Sequence, residues 1–166
     1  MPSELQRFLE GGPAPIVFTL GSSAVWVAKD FFEQGIAAAK TLGQRALVLV
    51  GDGRPPGSLP EGVACFDYAP YGRLLPHARL VVHHGGIGTT AQALRAGRPM
   101  LVVPFAHDQF DNAARIARLG AGRTLPRTSY RVPRIIAELA RLLDDPSYAE
   151  RAGQIGSTCS VRTVPL

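Results

Sequence analysis

Side chains suited to binding an anion and a polyol crowd into one stretch, LVVHHGGIGTTAQALRAGRPMLVVPFAHDQFDN, from Leu80 to Asn112. The apolar run Leu80-Val81-Val82 reads as a buried strand. It turns through His83, His84, Gly85 and Gly86 into a helical pattern from Thr89 to Ala96. A strand is thereby aimed at a helix N-terminus. The glycines let backbone approach a ligand, and Thr89 and Thr90 cap the helix or supply hydroxyls. The first N–H groups of the helix, which have no intrahelical acceptor, make a site for an anion such as phosphate. A second apolar run, Met100 to Val103, ends at Pro104 and delivers His107-Asp108-Gln109 to the same sheet edge ahead of another helix. A carboxylate that accepts and an amide that both donates and accepts suit a polyhydroxylated ligand. The same pair also fits a helix N-cap with an exposed neighbour.

The elements that must hold these residues alternate. Ile16 to Leu20 is β-branched and aromatic, as a central strand should be, and ends in Gly21-Ser22-Ser23 before a helical pattern through Val27, Phe31, Phe32, Ile36 and Ala39. Ala46 to Val50 is an uninterrupted apolar run suited to a strand covered on both faces. Val63 to Phe66 is a weaker third strand, reached without a helix. Arg123-Thr124-Leu125 reads as a last short strand, and Val132 to Leu143 as an amphipathic helix. Ser147 to Gln154 closes the pattern as a final helix. Such alternation predicts an α/β fold, a doubly wound, mostly parallel Rossmann-like sheet in a single domain. Residues 1–13 read as an entry linker, 14–157 as the domain and 158–166 as a poorly defined tail.

Right-handed crossovers give the strand order 3-2-1-4-5-6, with strands one and four adjacent. Ligands in such sheets sit outside the carboxyl ends of those two strands. Gly21-Ser22 should therefore face His84 to Thr90, which favours phosphate contact for Ser22 over a mere turn. Gly21-Ser22-Ser23-Ala24 is not a dinucleotide fingerprint and no P-loop lysine is present, which disfavours NAD and ATP chemistry. His77, His83, His84 and His107 lie in no paired-ligand motif, so no metal site is expected.

HHGGIGTTAQALRAGRPMLVVPFAHDQFDNAARIARLGAG resembles the donor-binding signature of UDP-glycosyltransferase-like enzymes with the GT-B fold, especially bacterial members acting on lipids, sterols and natural products. The family pattern, approximately H-x-G-x-x-[ST]-x-x-[EQ]-A-L-x-x-G-x-P-x-x-x-x-P followed by D/E-Q and N, is met at nearly every fixed point. The resemblance implies a UDP- or dTDP-hexose as donor substrate, with no separate cofactor and no metal. It places His84 at the diphosphate, with Gly86, Gly88, Thr89 and Thr90 as donors around it. Charge on the leaving nucleoside diphosphate would be stabilised there. Gln92 stands where many relatives carry a glutamate for the ribose, and an amide has one acceptor oxygen and no charge. Tyr68 falls where plant relatives stack a tryptophan on the base, although a core aromatic fits the same position. Tyr71 would present backbone to the base edge. Asp108 and Gln109 match the pair that holds the donor's sugar, and Asn112 matches a structural asparagine.

The similarity covers what would be the C-terminal half of an inverting enzyme. The N-terminal acceptor-binding domain and the catalytic base are expected to lie elsewhere, and the isolated chain is expected to be inactive. The chain would then be an excised domain, a truncated product or a subunit. The alternative is a non-catalytic nucleotide-sugar-binding or partner-activating module.

Composition is compatible with this. The 166 residues suffice for one domain with a substantial core, and 46% hydrophobic with 19% charged residues is a globular balance. A net charge of +5 comes without aromatic interleaving, zinc spacing or a helix-turn-helix pattern, so nucleic acid is not an expected partner. Cys65 and Cys159 are far apart and read as free thiols. With no signal pattern or spanning apolar run, a cytoplasmic location is expected, with peripheral membrane contact possible in a full enzyme.

Overall fold

The computed structural model describes residues 1–21 and 30–161. Ser22 and the opening of the helical pattern through Val27 lie outside the described residues. Six strands form one sheet: β1 Ile16–Thr19, β2 Ala46–Leu49, β3 Val63–Phe66, β4 Leu80–His83, β5 Met100–Val102 and β6 Gly122–Thr124. Their order is β3-β2-β1-β4-β5-β6 and every pairing is parallel. This is the doubly wound arrangement expected from the sequence.

Two-sided burial explains the uninterrupted apolar strands. On one face Phe18, Val48, Val82 and Leu101 pack against α2 (Phe31–Thr41) and α6 (Val132–Asp144) through residues such as Phe31, Ile36 and Leu139. On the other, Val17, Leu47, Val81 and Met100 meet Leu5 of α1 (Ser3–Glu10), Leu74 of α3 (Tyr71–Leu74), Ala93 of α4 (Ile87–Arg95) and Ile116 of α5 (Gln109–Leu119). A 3-10 turn, Leu75–His77, links α3 to β4. The opening segment folds as α1 and buries Leu5 completely. Arg45 fastens it by donating to the carbonyls of Pro13 and Phe8, with its guanidinium 4.0 Å from the Phe8 ring centroid.

The last helix, α7 (Pro146–Val161), lies against α4 and runs seven residues beyond the helix read from the sequence. At the β6 edge, Arg123 pairs with Glu138 of α6 and donates to the Tyr148 hydroxyl of α7 at 2.9 Å.

Strand register positions the site. Thr19 pairs with Leu49 and His83, Leu49 with Phe66, His83 with Val102, and Val102 with Thr124. The strand ends therefore stand in one row, and the loops leaving them open on a common edge.

Candidate functional site

At the centre of that row the His84 imidazole is held between two glycines. A Cβ on Gly86 would lie 2.5 Å from His84 Nε2, and one on Gly21 would lie 3.0 Å from Cε1. Gly21 also has φ +62°, which side-chain-bearing residues rarely adopt. The convergence of the β1 and β4 glycine loops, expected from topology alone, is thus a contact through His84.

His84 is 4% exposed and its Nδ1 has no partner among the described residues. Burial lowers its pKa below the usual histidine value, while the Asp108 carboxylate pulls the other way. His83 is fully buried, and burial, then the neighbouring His84, lowers its pKa to about 3. Its Nδ1 accepts from the Gly85 N–H at 3.0 Å, which puts its single proton on Nε2, an atom with no partner. His83 thus holds the turn, and His84 packs between Gly21 and Gly86.

The N-terminus of α4 follows immediately. The Thr90 N–H is bonded to the Gly86 carbonyl at 2.9 Å, and the Thr90 hydroxyl donates to that same oxygen at 2.9 Å. Thr90 therefore spends its hydroxyl on the helix start. The N–H groups of Ile87, Gly88 and Thr89 precede the first intrahelical bond, as at any helix start. Thr89 is 6% exposed and lines a cleft of about 460 Å³ at the carboxyl ends of β1 to β3.

Gly21, Gly88, Tyr68, Tyr71 and Gln92 line the same cleft. Tyr68 is 75% exposed, which rules out its reading as a core aromatic and leaves a ring facing the opening. The Tyr71 hydroxyl is fixed 2.8 Å from Thr19 Oγ1 at the end of β1. Asp52 and Asp67 also line the cleft, and sequence reasoning missed both. Asp67 directly follows β3 and Asp52 lies three residues past β2, and that position in the row was the available signal.

The β5 loop and α5 are tied to the glycine turn by a side chain. Asn112 donates to the Gly85 carbonyl at 2.9 Å and to Asp108 Oδ2 at 3.1 Å. Asp108 occupies the N-cap position of α5 but makes no capping hydrogen bond, so its exposed carboxylate is held by Asn112. Gln109 is 9% exposed, and its Oε1 accepts from the N–H groups of Phe105 and Ala106 at 2.8 and 3.0 Å. The Gln109 carbonyl therefore shapes the loop, and only its Nε2 is left for a ligand. His107 is exposed with φ 55°. Among the described residues no three metal-ligating side chains converge, and no helix is long and apolar enough to cross a membrane.

A parallel doubly wound sheet with a glycine-flanked histidine and a helix N-terminus at its switch point defines a Rossmann-like ligand-binding domain. The chain belongs to the family described as erythromycin biosynthesis protein CIII-like, C-terminal domain, which matches residues 46–165; it is a C-terminal domain of the GT-B glycosyltransferase type. It is 39% identical over 155 residues to O-mycaminosyltylonolide 6-deoxyallosyltransferase of Streptomyces fradiae, covering 92% of this chain and 36% of that protein. It superposes with a TM-score of 0.80 and 27% identity on the glycotransferase of kitacinnamycin, covering 95% of this chain and 40% of that one. The spinosyn rhamnosyltransferase SpnG complexed with thymidine diphosphate matches with a TM-score of 0.82 and 25% identity, over 90% of this chain and 42% of that one. The chain thus spans roughly two-fifths of the length of these relatives.

Proposed function

We propose that this chain is the donor-binding half of an inverting, metal-independent glycosyltransferase that uses a UDP- or dTDP-hexose. The observation that carries the reading is the joining by Asn112 of the glycine turn after β4 to the β5 loop, which sets Asp108 near His84, while Gly21, Gly88 and Thr89 beside that turn line a cleft with Tyr68. The diphosphate lies against the first N–H groups of α4 and the His84 ring. The base and ribose extend past Tyr68, Tyr71 and Gln92, and the sugar reaches Asp108 and the Gln109 amide. SpnG, a relative solved with thymidine diphosphate, supports the choice of ligand.

Breaking the glycosidic bond places negative charge on the leaving diphosphate. Helix N–H groups at the start of α4 and the neighbouring His84 imidazole stabilise it, so the chemistry requires no metal. A bound diphosphate raises the pKa of His84, which takes up a proton and becomes a poor base. Activation of the acceptor hydroxyl falls to a base outside this chain, within hydrogen-bond reach of about 2.6 to 3.2 Å. Nucleotide-sugar and the acceptor-binding remainder of the enzyme are thus the partners.

Titration calorimetry with UDP, dTDP and GDP in the presence of chelator tests the reading. UDP or dTDP should bind in the millimolar range, about 4 kcal/mol, because only half of the cleft is supplied. No heat and no thermal shift with a folded sample would reject it. Fusion to the N-terminal half of a relative should create transfer activity that the chain alone lacks.

A further inference from the structure

The hydroxyl of Tyr71 reaches from the start of α3 to the end of β1, 52 residues away in sequence, and stands 2.8 Å from Thr19 Oγ1. Thr19 is buried, and the Gly21 N–H donates to that same oxygen at 3.4 Å. Gly21 in turn leaves no room beside His84. A Cβ on it would lie 3.0 Å from His84 Cε1 and 3.9 Å from Thr89 Oγ1. A chain of contacts therefore runs from the Tyr71 side chain, through one buried hydroxyl, to the glycine turn that packs against the imidazole and the start of α4.

The fold does not need this contact to hold either end. β1 is paired with β2 and β4 as far as Thr19 itself, and the Pro70 carbonyl accepts from the N–H groups of Arg73 and Leu74 at the start of α3. The turn at Gly21 is the part left to be fixed, since its N–H has Thr19 Oγ1 as its sole acceptor among the described residues. A bond of 3.4 Å is weak and depends on where the acceptor points. Tyr71, at an ordinary hydroxyl–hydroxyl distance, fixes that direction. One hydroxyl can accept from Gly21 and still exchange a bond with Tyr71, because it carries two lone pairs and a proton.

Resting on the donor-binding reading above, we propose that the Tyr71 hydroxyl is a positioning group for the diphosphate, acting through Thr19 to set the Gly21 turn against His84. Its ring lines the cleft, yet its hydroxyl serves the phosphate end. Loss of the hydroxyl should therefore be felt by any diphosphate, with or without a nucleoside.

The test compares the full chain with Tyr71→Phe, Thr19→Val, Thr19→Ser and the double variant Tyr71→Phe/Thr19→Val. NMR titrations use inorganic pyrophosphate and whichever of UDP and dTDP binds the unaltered chain. Tyr71→Phe should weaken both ligands alike, by about threefold to tenfold, the scale of one net hydrogen bond. Thr19→Val should weaken them at least as much, and the double variant no more than Thr19→Val, because the two hydroxyls act as one unit. Thr19→Ser keeps the hydroxyl and should bind as the unaltered chain does. The His84 Cε1–H resonance of the free protein, identified by its loss in His84→Gln, should shift in Tyr71→Phe, which a merely stabilising hydroxyl would not cause. Tyr71 is half-buried and Tyr71→Phe keeps the ring, so that variant decides the matter even if Thr19→Val does not fold. A loss confined to the nucleotide, as direct contact of Tyr71 with the base would give, overturns the proposal. So do unchanged affinities, an unmoved His84 resonance, or losses that multiply in the double variant. Each of these leaves the donor-binding reading standing, whereas failure of the unaltered chain to bind any diphosphate overturns both.

Discussion

The Asn112 side chain crosses 27 residues of sequence to donate to the Gly85 carbonyl at 2.9 Å. The same amide nitrogen holds Asp108, so one side chain sets the distance between the glycine turn and the β5 loop. Asn112→Ala leaves a buried carbonyl unpaired and should cost about 1 to 3 kcal/mol of stability, read from urea unfolding. Asn112→Asp should cost more, because it sets a carboxylate against both that carbonyl and Asp108. Unfolding curves that overlay the unaltered chain would show that the two loops are held by something else.

Gly86 has φ −58°, so an alanine backbone fits and the only obstacle is the His84 ring, 2.5 Å from the added Cβ. Gly86→Ala should displace the imidazole and weaken diphosphate binding about tenfold, the scale of one charge-assisted hydrogen bond. Calorimetry with UDP or dTDP measures it. Full affinity would mean that His84 does not need its present orientation.

His84→Ala should remove most diphosphate binding, whereas Asp108→Ala should spare the bare nucleotide and weaken the nucleotide sugar. Equal losses for both ligands would count against separate roles for the loops. Burial keeps free His84 uncharged, so binding an anion draws in a proton and affinity should rise as pH falls through the histidine range. His84→Gln removes that part of the pH dependence, leaving the ligand's own ionisation.

His83 links stability to acid. Its folded pKa, about 3, lies below the unfolded value of 6.5, so between those values the unfolded chain binds a proton that the folded chain does not. This contribution is fully present above pH 6.5 and is lost as pH falls toward 3, at a slope approaching about 1.4 kcal/mol per pH unit. Urea titrations from pH 7 to 4 on the chain and on His83→Gln should differ by this slope. Parallel curves would mean that His83 protonates in the folded state.

The strands were legible because two-sided burial demands unbroken apolar runs, and their order because crossover handedness leaves few alternatives. Gly21 and His84 met as that order requires. Tyr68 could not be settled from sequence, since an aromatic after a strand fits a core and a cleft mouth equally. The end of α7 was hidden by composition: Gly156, Ser157, Thr158 and Ser160 are weak helix formers. In the fold, Ser157, Thr158 and Ser160 return their hydroxyls to carbonyls four residues back at 3.0 to 3.1 Å. Gly156 packs so near Gly97 that a Cβ would fall 2.8 Å from its Cα. The bond from Asn112 to the Gly85 carbonyl joins residues distant in sequence, which no local pattern encodes.

With Gln109 Oε1 occupied by the Phe105 and Ala106 N–H groups, the β5 loop presents a carboxylate that can only accept beside an amide nitrogen that can only donate. On the proposed reading, a pair of neighbouring hydroxyls spanning them must align head to tail, one giving its proton to Asp108 and the other receiving one from Gln109. The loop would thus read the direction of a hydrogen-bond chain along the sugar, and a donor lacking one hydroxyl of the pair would break that chain.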